Sequence, residues 1–208
     1  MPDAIHKHKK PITVSQLADA LSIPNSKSHA LFRLMRVLIH SNVFGEAEEG
    51  AYALTGTSRL LLRDEPLSFF PFILTTTDPV AVGTYHSMTE RFWDECPTPF
   101  VTKYGRNVWE FGADEAEWNR LFNKGMTSDS ELVGKILVRE CKHVCEGLER
   151  VVDVAEGRGA MAKAVAAVFP GVRFVVLDLP QVVDGLEGAE NVSFVSGDMF
   201  KFTVCSFC

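Results

Sequence analysis

Three acidic residues and two glycines near the end of the sequence have types and spacing suited to holding a nucleoside. Asp153 lies at the end of an apolar stretch, and the loop after it carries Gly157 and Gly159. Asp178 and Asp198 each end a later apolar stretch. A carboxylate in such a place accepts hydrogen bonds from both hydroxyls of a ribose, and glycine lets a ligand approach the backbone of a tight turn. The pattern indicates a cofactor that contains adenosine.

Two alternatives stand beside this interpretation. Asp178 and Asp198 also suit purely structural positions, as a cap of the next element and as a turn residue. Among adenosine cofactors, the choice is between a dinucleotide and S-adenosylmethionine. The chain reads G-R-G-A-M-A from Gly157, so the G-x-G-x-x-G spacing of dinucleotide sites is absent, which weakens the dinucleotide interpretation.

The elements around these residues follow a β-α-β pattern. Residues 151–154, the stretch "VRFVVLD" and the stretch "NVSFVSGD" are predicted to be buried strands, and residues 160–169 a short helix. Near-continuous apolar strands joined by helical connections predict a parallel sheet, in which ligands bind at the carboxyl ends of the strands. We therefore expect the three acidic residues and the loop 155–159 to lie at or near one edge of the sheet.

The first third of the chain has a different pattern of apolar residues. Apolar residues recur at helical spacing in two segments, and "VFGEAEEGAYAL" then predicts a hairpin. The apolar positions are Val14, Leu17, Ala18 and Leu21 in the first segment and Leu31, Leu34, Met35, Leu38 and Ile39 in the second. Helix, turn, helix and hairpin together outline a winged helix, and the basic opening ten residues are predicted to be a frayed terminus.

A winged helix often binds DNA, but the charges here argue against that role. Glu46, Glu48 and Glu49 occupy the wing, where they would repel a phosphate backbone. The formal net charge of −6 points the same way. We expect a structural or dimerising role instead, with no nucleic-acid partner.

Aromatic residues are concentrated in the middle of the chain. Residues 113–144 read as two consecutive helical segments, and Trp118, Phe122 and Met126 share one face of the first. Spacing alone favours core packing for this stripe, and an apolar pocket for a flat ligand is the alternative.

Bulk features favour an ordinary cytoplasmic protein. No apolar run reaches the ~18 residues that span a bilayer, and the start lacks the apolar core of a signal peptide. Five cysteines without a secretory signal indicate reduced thiols. The pairs Cys141/Cys145 and Cys205/Cys208 have no feature that brings them together, so we predict no metal site. Because no apolar run is long enough to span a bilayer, we also predict no membrane partner.

The stretch from "LERVVDVAEGRG" to "FVSGDMF" resembles plant class I O-methyltransferases of the caffeic acid and isoflavonoid type. "FNKGMTSDS", "DLPQVV" and "GDMF" carry the likeness, which extends over residues 12–200. The resemblance implies an α/β protein with a mostly helical, winged-helix-like dimerisation region at 1–110. An incomplete Rossmann-like sheet that binds S-adenosylmethionine is implied at 111–208. The implied acceptor is a phenolic such as an isoflavonoid, and the implied partner is a second copy or a related methyltransferase.

The resemblance also assigns roles to individual residues. Asp178 would hold the ribose, Leu179 would pack on the adenine, and Asp198 with Met199 would contact the adenine side. The remaining assignments concern the methionine part of the cofactor and the acceptor. They are Gly157 and Gly159 in the glycine loop, Ser130 near the methionine part, and Trp118, Phe122 and Met126 facing the phenolic acceptor at the strand ends.

The chain departs from the family pattern in two respects. The family loop V-D-V-G-G-G-x-G reads "VDVAEGRG" here. Ala155 adds a Cβ, and Glu156 adds a negative charge near the cofactor's carboxylate. Arg158 would offset that charge by pairing with Glu156 or with the cofactor's carboxylate. The family's L-H-D-W-like segment, whose His is the general base, has no match, so no catalytic residue is assigned. We expect a chain truncated at both ends that binds S-adenosylmethionine poorly and transfers no methyl group. The alternative is a non-catalytic paralogue that dimerises with intact methyltransferases, and the strand at 151–154 is expected to form an open, aggregation-prone edge.

Overall fold

The computed structural model describes residues 1–47 and 50–201, which fall into two compact units, Met1–Phe70 and Pro71–Cys208. Residues 71–110, which were predicted to lie in the dimerisation region, belong to the second unit. No helix in the described ranges combines the length and hydrophobicity needed to cross a bilayer.

The first unit has the predicted helix, helix and hairpin. Its elements are α1 Pro2–His8, α2 Val14–Ala20, a 3₁₀ turn Asn25–Lys27, α3 Ser28–His40, β1 Phe44–Glu46, β2 Tyr52–Leu54 and α4 Gly56–Arg59. Strands β1 and β2 pair antiparallel. Helices α2 and α3 direct Leu17 and Met35 into one core with Phe44 and Tyr52, because these residues lie on the apolar faces that the spacing predicted.

The prediction of a frayed terminus was wrong. Residues 2–8 form α1, and Ile5 is only 3% exposed in the core of this unit. The Asp3 carboxylate accepts a hydrogen bond from the backbone N–H of Arg63 at 3.0 Å, which ties the start of the chain to a distant segment. One buried apolar residue in a basic stretch was too weak a pattern to show this.

The helical part of the second unit ends in one long helix. Its elements are α5 Phe70–Thr76, α6 Pro79–His86, a 3₁₀ turn Glu90–Phe92, α7 Pro99–Tyr104, α8 Val108–Asp114, α9 Ala116–Glu140 and a 3₁₀ turn Lys142–Val144. The prediction of two segments at 113–144 was wrong, because α9 is continuous over 25 residues. Its glycines are close-packing positions, not breaks: a Cβ on Gly125 would collide with Thr75, and one on Gly134 would lie 3.1 Å from the Cβ of Ala164.

A three-stranded parallel sheet completes the second unit, as predicted. Its strands are β3 Arg150–Val154, β4 Arg173–Asp178 and β5 Val192–Ser196, in the order β3-β4-β5. Helix α10 Ala160–Ala166 connects β3 to β4, and helix α11 Pro180–Val183 lies between β4 and β5. Val176 at the centre of β4 is fully buried, and it packs with Phe174, Val192 and Val165.

Strand β3 departs from the prediction of a buried strand. Within the described residues it pairs with β4 alone, so the expected open edge is present. Its residues are therefore only half-buried, and Val154 is 40% exposed. Helix α10 is also shorter than predicted, ending at Ala166 instead of residue 169.

Candidate cofactor site

The carboxyl ends of β3 and β4 bring the glycine loop and Asp178 together. The Oδ2 atom of Asp178 accepts a hydrogen bond from the backbone N–H of Gly157 at 2.8 Å, and Oδ1 accepts one from Leu179 at 2.7 Å. These two bonds fix the direction of the carboxylate. Each oxygen has a second lone pair, and the side chain is half-buried, so the group can also accept hydroxyl hydrogens of a ligand.

The loop itself makes a tight turn through left-handed backbone conformations. Ala155 has φ +62°, Gly157 +83° and Gly159 +75°. The turn at Ala155 is held by its N–H, which donates to the carbonyl oxygen of Leu177 at 2.8 Å. Left-handed backbone costs a residue with a Cβ about 1–2 kcal/mol, so Ala155 carries strain that glycine would not.

The two glycines of the loop serve different purposes. A Cβ on Gly159 would lie 2.9 Å from the ring of Phe194, so this glycine is needed where the loop packs against β5. A Cβ on Gly157 would meet nothing within 4 Å. The backbone at Gly157 therefore borders open space, which is the condition for close approach of a ligand.

Glu156 turns its side chain back onto the start of α10. Its Oε1 atom accepts a hydrogen bond from the backbone N–H of Met161 at 2.8 Å, whereas Oε2 is buried without a partner among the described residues. Burial raises the pKa of Glu156 to about 7, and the charge of Asp153 adds to this rise. The backbone N–H groups of Met161, Gly159 and Ala160 oppose it. Burial also raises the pKa of Asp153.

Of the two pairings expected for Arg158, the one with Glu156 is not found. Arg158 is exposed and makes no ion pair with Glu156 in the described structure. Sequence reasoning also missed the contact between Glu156 and the Met161 N–H. A carboxylate shortly before an alanine-rich helix is typical of a residue that caps the helix start, and that signal was present in the sequence.

The third strand end adjoins the second. The N–H of Gly197 donates to the carbonyl oxygen of Asp178 at 2.9 Å. The Asp198 carboxylate accepts from the N–H of Phe200 at 3.0 Å and pairs with Lys201 at 3.1 Å. The hydrogen bond from Phe200, with Lys201, lowers the pKa of Asp198. Asp198 thus has the turn contacts of the structural alternative, and its role toward adenine stays a prediction.

The remaining cofactor candidates lie near these elements or on the long helix. Leu179 is half-buried where α11 begins, and Met199 is 45% exposed. Ser130 is half-buried on α9, one turn before Gly134, where α9 packs against α10. Their contacts with a cofactor also stay predictions.

The acceptor candidates divide between a cluster and an open surface. Trp118 is 9% exposed. Its ring stacks on that of Phe122, with 5.0 Å between the ring centres, and meets the Phe111 ring edge to face, with 5.4 Å between the centres. The indole Nε1 is buried without a hydrogen-bond partner in the described part of the chain. Met126, one turn beyond Phe122, is 40% exposed. Trp118 therefore packs in a core cluster, while the side of α9 beyond it is accessible.

Comparison with known proteins identifies the family to which this chain belongs. Residues 85–206 match an O-methyltransferase domain, and residues 1–64 match an O-methyltransferase dimerisation domain. The chain belongs to the O-methyltransferase family.

Plant enzymes are among the relatives of this chain. It is 51% identical over 205 residues to flavonoid 8-O-methyltransferase 1 of Ocimum basilicum, covering 96% of this chain and 57% of that protein. It is 52% identical over 215 residues to 8-hydroxyquercetin 8-O-methyltransferase of Mentha piperita, covering 97% and 59%. The chain thus spans less than two thirds of the length of these relatives.

Solved structures show the same fold. The S-adenosylhomocysteine-bound form of CalO1, a methyltransferase in calicheamicin biosynthesis, matches with a TM-score of 0.78 and 28% identity over 97% of this chain and 60% of that one. Human N-acetylserotonin methyltransferase in complex with S-adenosylmethionine matches with a TM-score of 0.69 and 18% identity, over 97% and 59%. The bound S-adenosylhomocysteine of the first structure supports S-adenosylmethionine as the cofactor, and the predicted fold class is confirmed.

Proposed function

We propose that the loop 155–159 and the adjoining strand ends bind S-adenosylmethionine. Asp178 accepts the ribose hydroxyls, and Leu179, Asp198 and Met199 line the adenine side. The methionine part lies toward Gly157, Gly159 and Ser130. One observation carries the proposal: the Asp178 carboxylate is fixed by two backbone N–H groups, remains half-exposed, and adjoins a glycine with open space beside it.

The residues present fit the cofactor. The side of the loop at Gly157 is open, and Glu156 points back to α10, so its side chain does not fill that space. When bound, the cofactor supplies an electrophilic methyl group for transfer to an oxygen nucleophile. What this chain supplies is the turn that admits the ligand and a carboxylate that orients the ribose.

The acceptor that we propose is a hydroxylated flavonoid. The sequence resemblance implied an isoflavonoid, whereas two relatives near 50% identity are named for the 8-hydroxyl of flavonoids. Phe122 and Met126 offer the apolar side of α9 to such a flat ligand, next to the buried Trp118. A relative 44% identical is the strychnine O-methyltransferase of Strychnos nux-vomica, so an alkaloid acceptor is the competitor to test beside it.

We propose further that the 208-residue polypeptide binds the cofactor weakly and transfers no methyl group by itself. The strain at Ala155 lowers the population of the loop conformation that binds, and no residue of this chain is assigned as the general base. A non-catalytic dimerisation partner is the second candidate function. The match of residues 1–64 to a dimerisation domain favours it.

Calorimetric titration with S-adenosylmethionine tests the binding proposal. We expect Asp178→Asn to weaken binding at least about tenfold, because one ribose acceptor becomes an amide. Asp184→Asn, an exposed carboxylate at the end of α11, is the matched control and should bind like the wild type. Equal affinity of the wild type and Asp178→Asn would contradict the assignment.

An assay with a labelled methyl group tests the second part. The wild-type chain is incubated with labelled S-adenosylmethionine and either an 8-hydroxyflavonoid or strychnine-type alkaloid acceptor. We expect no labelled product with either acceptor. Labelled flavonoid would show that the chain catalyses transfer without the expected base, and labelled alkaloid would also reject the proposed acceptor class.

A further inference from the structure

Glu156 is the most unusual group at the cofactor corner, which consists of the loop 155–159 and the adjoining ends of β3 and β4. Its Oε1 atom is engaged by the Met161 N–H, but Oε2 is buried and has no hydrogen-bond partner among the residues described. A buried, unpaired carboxylate oxygen is costly unless it is protonated or faces a positive charge. The N–H groups of Met161, Gly159 and Ala160 at the start of α10 stabilise the ionised carboxylate only in part, because burial still raises the pKa of Glu156 to about 7. Further compensation of the charge requires a proton or a bound cation.

The neighbouring charges do not supply that compensation. From the end of β3, Asp153 acts on Glu156 with a charge of the same sign. On β4, the Asp178 carboxylate accepts a hydrogen bond from the N–H of Gly157, the residue after Glu156, and it has the same sign of charge. The cations are directed elsewhere, since Arg158 is exposed and the Lys163 ammonium of α10 lies 5.1 Å from the centre of the Phe194 ring.

We propose that the Glu156 carboxyl makes this corner sensitive to the charge on the cofactor's sulfur. S-Adenosylmethionine carries a sulfonium, whereas S-adenosylhomocysteine, the product of methyl transfer, carries a neutral thioether. An ionised Glu156 favours the cation by Coulomb attraction, and a protonated Glu156 distinguishes the two ligands far less. The inference rests on the proposed function, because it requires the cofactor to bind at this loop.

The proposal has a defined pH dependence. The pKa of Glu156 is raised to about 7 by burial, so the carboxyl is largely protonated at pH 6 and largely ionised at pH 8. Preference for S-adenosylmethionine over S-adenosylhomocysteine must therefore increase across this interval. Both ligands carry the same amino and carboxyl groups, so the ratio of their dissociation constants removes most of the effect of those groups.

The experiment is calorimetry with both ligands at pH 6 and pH 8 on the full chain. The ratio of Kd for S-adenosylhomocysteine to Kd for S-adenosylmethionine should increase about three- to tenfold in the wild type over this range. Glu156→Gln keeps an oxygen to accept the Met161 N–H but cannot ionise, so its ratio should change less than about twofold. Glu187→Gln, an exposed carboxylate ahead of β5, is the control and should behave like the wild type.

The outcomes separate this inference from the proposed function. Binding of both ligands with a ratio that is constant with pH in the wild type would overturn the role of Glu156 and leave cofactor binding intact. The same conclusion follows if Glu156→Gln shows the wild-type increase. Failure of the folded wild type to bind either ligand would overturn the proposed function and the inference with it. The wild-type measurement decides the question even if the variant fails to fold.

Discussion

Left-handed backbone occurs in both units of the molecule, but in different settings. In the first unit Lys9, Ser22 and Asn42 have φ near +60°, and each follows the end of a helix, where this conformation is a common way to terminate. In the second unit Ala155 has the same φ between a strand and the glycine loop. In the first unit, left-handed residues terminate helices. In the second unit, Ala155 lies in a loop and carries backbone strain that stability alone does not require.

Burial repeats the contrast. The core of the first unit contains Leu17 and Met35 with no exposed surface. At the cofactor corner, by contrast, Asp153 and Glu156 are half-buried acids with raised pKa values. A region that keeps costly charges and strained turns is typical of a binding site, while a dry apolar core is typical of a scaffold.

The largest effect should come from the core of the first unit. Met35→Ala removes a fully buried side chain, so the free energy of unfolding should fall by about 2–5 kcal/mol. Leu34→Ala on the same helix is the control, because Leu34 is 45% exposed and its loss should cost less than about 1 kcal/mol. Chemical denaturation measures both variants, and equal losses would remove the distinction between core and surface of α3.

A smaller effect of opposite sign is expected in the loop. Ala155→Gly should raise the free energy of unfolding by about 1 kcal/mol, because it relieves left-handed strain at a residue with a Cβ. It should also strengthen binding of S-adenosylmethionine severalfold. The control Ala160→Gly lies in the right-handed start of α10 and should be neutral or destabilising. Destabilisation by Ala155→Gly would show that the turn is not strained.

Local patterns predicted most of the fold because they depend on neighbours in sequence. The apolar spacing around Leu17 and Met35 and the alternation of strands and helices after residue 150 needed no tertiary information. The continuity of α9 did need it, since Gly125 and Gly134 signal a break unless Thr75 and Ala164 pack against them.

The candidate site shows the same division. The position of Asp178 at a strand end followed from pattern, because the carboxyl ends of parallel strands share one edge. The direction of Glu156 did not, since it depends on where the folded loop places the Met161 N–H. A charged loop residue must be solvated or paired, and the fold determines which of the two occurs.

The smallest effect concerns the pH dependence of stability. The carboxyl of Glu156 has a pKa near 4.5 when unperturbed and about 7 in the folded chain. Between these values the unfolded chain releases its proton while the folded chain holds it, so wild-type stability falls as pH rises from about 4.5 to 7. Solvent screening of a half-buried side chain reduces the loss to roughly 0.5–1 kcal/mol.

Glu156→Gln cannot titrate, so this part of the loss should be missing from its denaturation curves at pH 5 and pH 7.5. Asp153 remains in both chains and largely cancels in the difference. Parallel pH profiles for the two chains would mean that burial does not hold a proton on Glu156, and the contrast between a dry core and a charged corner would then rest on backbone strain alone.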